Sequence, residues 1–260
     1  MDNSLDESST ILVGPFIGEL SWEIYRFAPY IIYLKKKYPN KKIIVFTRRS
    51  RFDLYGKYAD IFVPMNFSEE SYKQSGFNLL NFDPKTYISA MSFFRKKYKN
   101  RFEIKGCFFP DIDGWRSQVK WQFPRDLMDY DFQPRNKNIE IVNDYIFDSS
   151  SYAVFDVVDY VNDYKCVDVE KFRAYCKDKI GTKSSFVGCL ICLIRDAEFV
   201  VSNLNSFVGK LALLLKIPVI SVKKTLSDDS IKIINPFNIP VINCRNVQEG
   251  VEIYENYFRS

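Results

Sequence analysis

Residues 199–222, FVVSNLNSFVGKLALLLKIPVISV, leave this chain few folds to choose from. A short apolar run (Phe199, Val200, Val201) meets a polar turn (Ser202, Asn203, Asn205, Ser206) and then a second apolar segment. Phe207, Val208, Leu211, Ala212, Leu214 and Leu215 recur at helical spacing, which predicts a helix with one broad buried face. Lys216 is expected in its last turn, where a cation suits the helix dipole. Ile217-Pro218 ends the helix, because the residue before a proline is pushed out of the helical region. The β-branched run Val219–Val222 then reads as a strand. A strand, a helix and a strand this close together imply a right-handed parallel crossover and an α/β architecture.

The polar turn is the chemical part of that unit. Asn205 or Ser206 suits the N-cap, where side-chain oxygens and free backbone N–H groups meet at the positive end of the helix. Such an end, just past the carboxyl edge of a parallel strand, is an anion site by construction. Helix capping alone would use the same residues.

The front of the chain has a similar rhythm. Thr10–Val13 is a short β-type run that stops at Gly14-Pro15-Phe16-Ile17-Gly18-Glu19. Over residues 22–37, Trp22, Phe27, Tyr30, Ile31 and Leu34 share one helical face, and Lys35, Lys36 and Lys37 close it. Pro29 inside that pattern predicts either a kink or a helix that begins late. Residues 43–46 are continuously apolar, as in a buried parallel strand. Thr47-Arg48-Arg49-Ser50-Arg51 follows, then a helix start over residues 53–58 and a third strand at 61–63. This alternation opens a doubly wound fold. Gly14 and Gly18 let the first loop bring its backbone close to a ligand, although a plain strand-to-helix turn would also use them.

The chain has no histidine. Ser-His-Asp and Cys-His catalysis and histidine-ligated metals are therefore excluded, and a general base must be Asp, Glu, Lys, Tyr or Cys, with carboxylates leading. The net charge of +5 is mild. It permits an anionic ligand such as a sugar nucleotide without demanding nucleic acid. No run approaches the roughly 18 apolar residues of a membrane span, and residues 1–10 are polar and acidic, unlike a signal peptide. The six cysteines form no framework, which predicts reduced thiols and a cytoplasmic protein. Cys189 and Cys192 make a C-x-x-C inside an apolar segment and read as core thiols.

The middle of the chain says less. Residues 87–98 suggest a helix whose end, 95–101, is strongly basic: a solvated face, or a patch for an acidic acceptor or nucleic acid. Residues 107–109 suggest a strand, followed by Asp111 and Asp113. Two aspartates two apart at a strand end can hold a divalent ion on a diphosphate, or simply bond a local turn. Polar residues 133–138 are the linker candidate, and 139–142 open the second half. Residues 154–164 suggest a strand and turn. Helices are expected at Val169–Ile180, Phe186–Arg195 and 247–257, with apolar residues 231–234, a turn at 235–238 and a strand at 241–242.

Residues 199–219 resemble the donor-binding segment of two-domain, GT-B type glycosyltransferases. There a strand ends in a Ser/Asn-rich turn, often followed by Gly-x-x-His-Leu-Ala, a small loop and Pro-Val; this chain has Lys210 where many of those enzymes carry histidine. Gly-Pro-x-x-Gly-Glu-x-x-Trp-Glu over residues 14–23 is similar to the first loop of a set of GT-B-like enzymes. The resemblance implies two Rossmann-like lobes with parallel sheets facing a central cleft, an acceptor-side lobe at 1–135 and a donor lobe at 136–260. It implies transfer of a sugar from a nucleotide-sugar to a hydroxyl acceptor, without a metal or other cofactor. The donor contacts would be Gly14, Gly18, Lys183, Ser202, Asn203, Asn205, Ser206 and Lys210. Glu19 would deprotonate the acceptor, with Glu23 or Asp113 as fallback, Glu23 standing a turn into the helix where Arg26 could pair with it. In metal-dependent GT-A enzymes the Asp-x-Asp would instead carry the ion. The acceptor is a glycan, or a nucleic acid served by the Arg48–Arg51 and 95–101 clusters. A nucleotide- or glycan-binding protein that keeps a degraded glycosyltransferase fold is the non-enzymatic alternative.

Overall fold

The computed structural model describes residues 10–13, 20, 23–47, 49–64, 135–146, 151–156, 165–180, 186–204, 206–222, 235 and 237–258. The chain forms two compact units, Met1–Met128 and Asp129–Ser260. Each is built on a parallel sheet.

In the first unit, β1 (Thr10–Val13), β2 (Lys42–Thr47) and β3 (Ile61–Pro64) lie side by side in sequence order, all parallel. Ile43 to Thr47 are all buried, as a strand covered on both faces must be. The link from β1 to β2 ends in α1 (Ala28–Lys37), with Pro29 in its first turn. Proline is harmless there, because its missing N–H has no helical acceptor to reach. Ahead of it, Glu23–Phe27 winds as a single wider, π-type turn, so the helix does begin late and the residues before it are not extended. The helix expected over 53–58 is instead two 3₁₀ pieces, Arg49–Leu54 and Gly56–Tyr58. Gly56, which opens the second piece, has φ +46°, a left-handed backbone that keeps the two from running on as one regular helix. At the far edge, Asp60 accepts from the Ile43 N–H at 2.7 Å and pairs with Lys35 at 2.9 Å, tying α1 to the start of β2.

The first described element of the second unit is α2 (Asn136–Ile146), so residues 136–138 of the expected linker are helix. Its first turn reads as polar because Asn136 and Lys137 face solvent, while Asn138, Ile141 and Val142 are buried. Then come β4 (Ala153–Phe155), β5 (Cys166–Asp168), α3 (Val169–Ile180), α4 (Phe186–Arg195), β6 (Val200–Ser202), α5 (Phe207–Leu214), β7 (Val219–Val222), β8 (Val241–Cys244) and α6 (Val247–Phe258). The sheet order is β5-β4-β6-β7-β8, all parallel. Every residue from Val187 to Ile194 in α4 is buried, Cys189 and Cys192 among them as free thiols. Lys216 does not lie in the last turn of α5. It follows the helix at φ +65°, where Lys216 N–H donates to Leu213 and Ile217 N–H to Ala212. Those two bonds close the helix in the motif usually reserved for glycine.

One face of this sheet packs on α6, with Ala153, Phe155, Phe199, Val201, Ile220, Val222 and Ile242 against Val247 and Val251. Gly250 sets how close α6 comes: a Cβ there would lie 2.3 Å from Ile220 Cγ2 and 2.8 Å from Cys244 Sγ. Neither neighbour is a loose end, since Ile220 is β-branched and wholly buried. Gly250→Ala is therefore expected to destabilise the protein by about 1–3 kcal/mol, although alanine favours a helix by about 1 kcal/mol. A urea midpoint for the variant equal to or above wild type would show that α6 can lift off at no cost.

Candidate functional site

Two polar clusters stand at the carboxyl edges of the two sheets, one in each unit.

In the second unit, Ser202 is the last residue of β6 and is fully buried. Its hydroxyl lies 2.9 Å from Asp156 Oδ2 and 2.7 Å from Ser206 Oγ. Ser206 is the N-cap of α5, with extended backbone (φ −72°, ψ 159°), and its Oγ accepts from Gly209 N–H at 3.3 Å. The first helical bond, from Lys210 N–H, goes to the Ser206 carbonyl. That leaves Phe207 and Val208 with the N–H groups no helical carbonyl can reach. Gly209 lets this happen at short range. A Cβ on it would sit 3.3 Å from both Ser202 Oγ and the Asn203 carbonyl. Leu204, fully buried, pins the turn from below.

Asp156, immediately after β4, completes the group. Burial raises its carboxyl above the usual carboxylate range, and hydrogen bonds to Ser206 and Ser202 pull it partway back. The sequence reading missed Asp156. Its signal was positional: an acidic residue directly after the apolar run Ala153–Phe155, on a strand that neighbours β6. Of the other expected donor contacts, Asn203 follows the strand and Lys210 lies in the first turn of α5, both half-buried. Gly14, Gly18, Lys183 and Asn205 lie outside the described residues, as do Glu19, Asp111 and Asp113.

In the first unit, Glu23 lies in the π-type turn and is 0% exposed. It accepts from Thr47 Oγ1 at 2.6 Å at the end of β2, from Arg51 Nη1 and from the Tyr55 hydroxyl. Arg51, from 28 residues on, is its ion-pair partner; the side chain of Arg26, the partner expected from spacing, lies outside the described residues. Burial first, and then the Glu23 charge, push the Tyr55 hydroxyl well above its ordinary range, so it stays a donor. Both Glu23 oxygens are engaged, and the group fastens the turn to β2. Arg51 also leaves the Arg48–Arg51 cluster, because it is buried and points inward.

Removing one partner of a buried ion pair strands the other charge, which typically costs about 3–5 kcal/mol. Arg51→Met should lose stability on that scale, and Glu23→Gln added to it should cost less than the two single changes summed. Equal additive losses in chemical denaturation would mean the two side chains do not act as a pair.

No protein-family model matches the chain, and no curated protein matches it in sequence. Solved structures do resemble it. A glycosyl transferase family 9 protein from Veillonella parvula aligns over 95% of this chain and 88% of its own, with a TM-score of 0.54 and 11% identity. The E. coli ADP-heptose LPS heptosyltransferase II aligns over 94% of both chains, with a TM-score of 0.49 and 11% identity. An E. coli heptosyltransferase determined with ADP aligns over 91% of this chain and 92% of its own, with a TM-score of 0.44 and 11% identity. The first of these likenesses carries the fold. Two parallel-sheet α/β units of the GT-B type account for nearly the whole chain.

Proposed function

We propose that this chain is a glycosyltransferase that moves a sugar from a nucleoside-diphosphate sugar to a hydroxyl of a glycan acceptor. The observation that carries the reading is the turn Ser202–Ser206. It places two hydroxyls and the open N–H groups of a helix end at the carboxyl edge of a parallel sheet, in a fold shared over 95% of the chain with a solved glycosyltransferase. Ligands of open α/β sheets collect at that edge.

In this reading the donor diphosphate lies against the first turn of α5. The N–H groups of Phe207 and Val208, the Ser206 hydroxyl and the Lys210 ammonium stabilise the charge that develops on the leaving nucleotide. Asn205 adjoins them in sequence, and Lys183 is the further cation of this reading. No divalent ion is required, because fixed donors and cations do the work a metal does elsewhere. Glu19, presented by the Gly14–Gly18 loop, takes the acceptor proton; the chain offers no histidine for the task. Asp113 is the reserve carboxylate. Glu23, buried and paired, holds the base of its loop rather than the proton. Among the described residues no helix is long and apolar enough to cross a membrane, and Cys166, Cys176, Cys189, Cys192 and Cys244 are free thiols. A cytoplasmic setting agrees with both.

A binding protein without transfer is the second reading, favoured by the engagement of Glu23, which leaves fewer carboxylates for a base. Catalysis and binding separate in two variants. Ser206→Asp keeps a good N-cap but puts a negative charge where the diphosphate lies. Nucleotide-sugar affinity measured by calorimetry should fall at least tenfold, about 1.4 kcal/mol, with little change in melting temperature. Unchanged affinity would remove the anion site. Glu19→Gln should lower turnover by roughly 10²–10⁴-fold, the usual scale for a lost general base, with donor binding nearly intact and wild-type activity surviving a chelator. Turnover unaffected at Glu19, or abolished by chelation and restored by manganese, would transfer the chemistry to Asp111 and Asp113.

A further inference from the structure

The carboxylate of Asp156 stands where an incoming phosphoryl group would have to be received. Ser202 Oγ, 2.9 Å from Asp156 Oδ2, also shares a 2.7 Å contact with Ser206 Oγ, and Ser206 Oγ receives the Gly209 N–H. The hydroxyls that would turn toward an anion at the end of α5 are therefore already turned toward one. A second observation points to the same place. Ser221, on β7, pairs in register with Ser202 and so stands on the same face of the sheet, one strand further along. Its Oγ is buried and, among the described residues, is the side-chain polar atom left without a hydrogen-bond partner. Buried hydroxyls are rarely left so. This strand-end face has a donor to spare.

The charges around Asp156 do not settle its state. On α3, Glu170 and Arg173 act on it with opposite sign and are joined to each other at 3.4 Å. Asp168, ending the neighbouring β5, is turned to the N–H of Lys171 at 2.8 Å. Lys210 is the cation on α5, a turn into the helix whose cap touches Asp156. Among the described residues, hydroxyls rather than a cation donate to this carboxylate.

We propose that Asp156 competes with the diphosphate for the Ser202–Ser206 hydroxyls of the donor site, so that the donor enters as Asp156 takes up a proton. The inference rests on the donor reading of this turn. A proton from solvent moves to the Asp156 carboxylate; no covalent bond of the ligand changes. Once protonated, Asp156 stops competing and its O–H becomes one more donor toward a phosphoryl oxygen.

The direction of the pH effect follows from linkage. Burial already holds the free carboxyl above its ordinary range, and an anion bound beside it raises it further. Affinity is then highest below the free-state pKa. It falls by up to about tenfold per pH unit between the free and bound values, and is flat above them. The site thus prefers a donor at the lower end of the range over which Asp156 titrates.

Calorimetric titration with ADP-glucose, GDP-glucose and UDP-glucose tests this, because their diphosphate diesters do not titrate between pH 5 and 8.5. Runs in two buffers of different ionisation enthalpy count the protons exchanged. Wild type should take up protons on binding and lose at least tenfold in affinity across the range. Asp156→Asn, the same shape without the charge, should take up none, show no pH trend, and bind at least tenfold more tightly than wild type at pH 8. Binding by wild type without proton uptake and with pH-independent affinity overturns the proposal, whatever the variant does, while leaving the donor reading standing. Weaker binding by Asp156→Asn at pH 8 also overturns it, since the charge would then be aiding the ligand. If none of the three sugars binds wild type or variant, the donor reading falls and this inference goes with it.

Discussion

How closely α5 approaches the end of β6 decides what the second unit can do. The distance is set by Gly209, whose missing side chain brings the first helical turn down onto Ser202 Oγ and the Asn203 carbonyl. The approach brings the N-cap hydroxyl within 2.7 Å of a strand-end hydroxyl and both within reach of the carboxylate that ends the next strand. A side chain at Gly209 would press on Ser202 Oγ and the Asn203 carbonyl, and one of them would have to give by a few tenths of an ångström. The rest of the unit holds that geometry. Leu204 and Val208 anchor the turn and the helix in the core, and the two backbone bonds at Lys216 and Ile217 return the chain directly into β7. β7 in turn lies between β6 and β8 and is buried along its length.

Much of this was readable in the sequence because two-sided burial leaves a simple trace. Val219–Val222, Val169–Ile180 and Phe186–Arg195 are continuous apolar or clearly periodic stretches, and their limits follow from composition. The polar turn at Ser202–Ser206 was readable too, since capping residues between a strand and a helix have few other uses. What was not readable depended on residues far apart in the chain. The pairing of Glu23 with Arg51 requires the fold to bring together residues on either side of β2 in sequence, whereas local spacing pointed to Arg26. Asp156 looked like one of several acidic residues in an irregular stretch until the order β4-β6 placed it beside Ser202. Residues 136–138 looked like a linker because a helix's exposed first turn and a loop share the same composition.

The two clusters show how the same side-chain chemistry is put to different uses by its partners. Glu23 is buried with a guanidinium, a phenol and a hydroxyl around it. Its charge is matched, so neither solvent nor a passing anion has a reason to displace it, and the turn it fastens is held as firmly as the core around it. Asp156 is half-buried, and what touches it among the described residues are hydroxyls. Hydroxyls rotate and can serve any acceptor, so the bonds that stabilise this carboxylate can be given to another anion without a charge being stranded, provided Asp156 is protonated. A carboxylate paired with arginine is a rivet; one held, among the described residues, by serine hydroxyls is an exchangeable occupant. That difference, rather than burial or position at a sheet edge, is what supports the proposal of a ligand site at the Ser202–Ser206 turn.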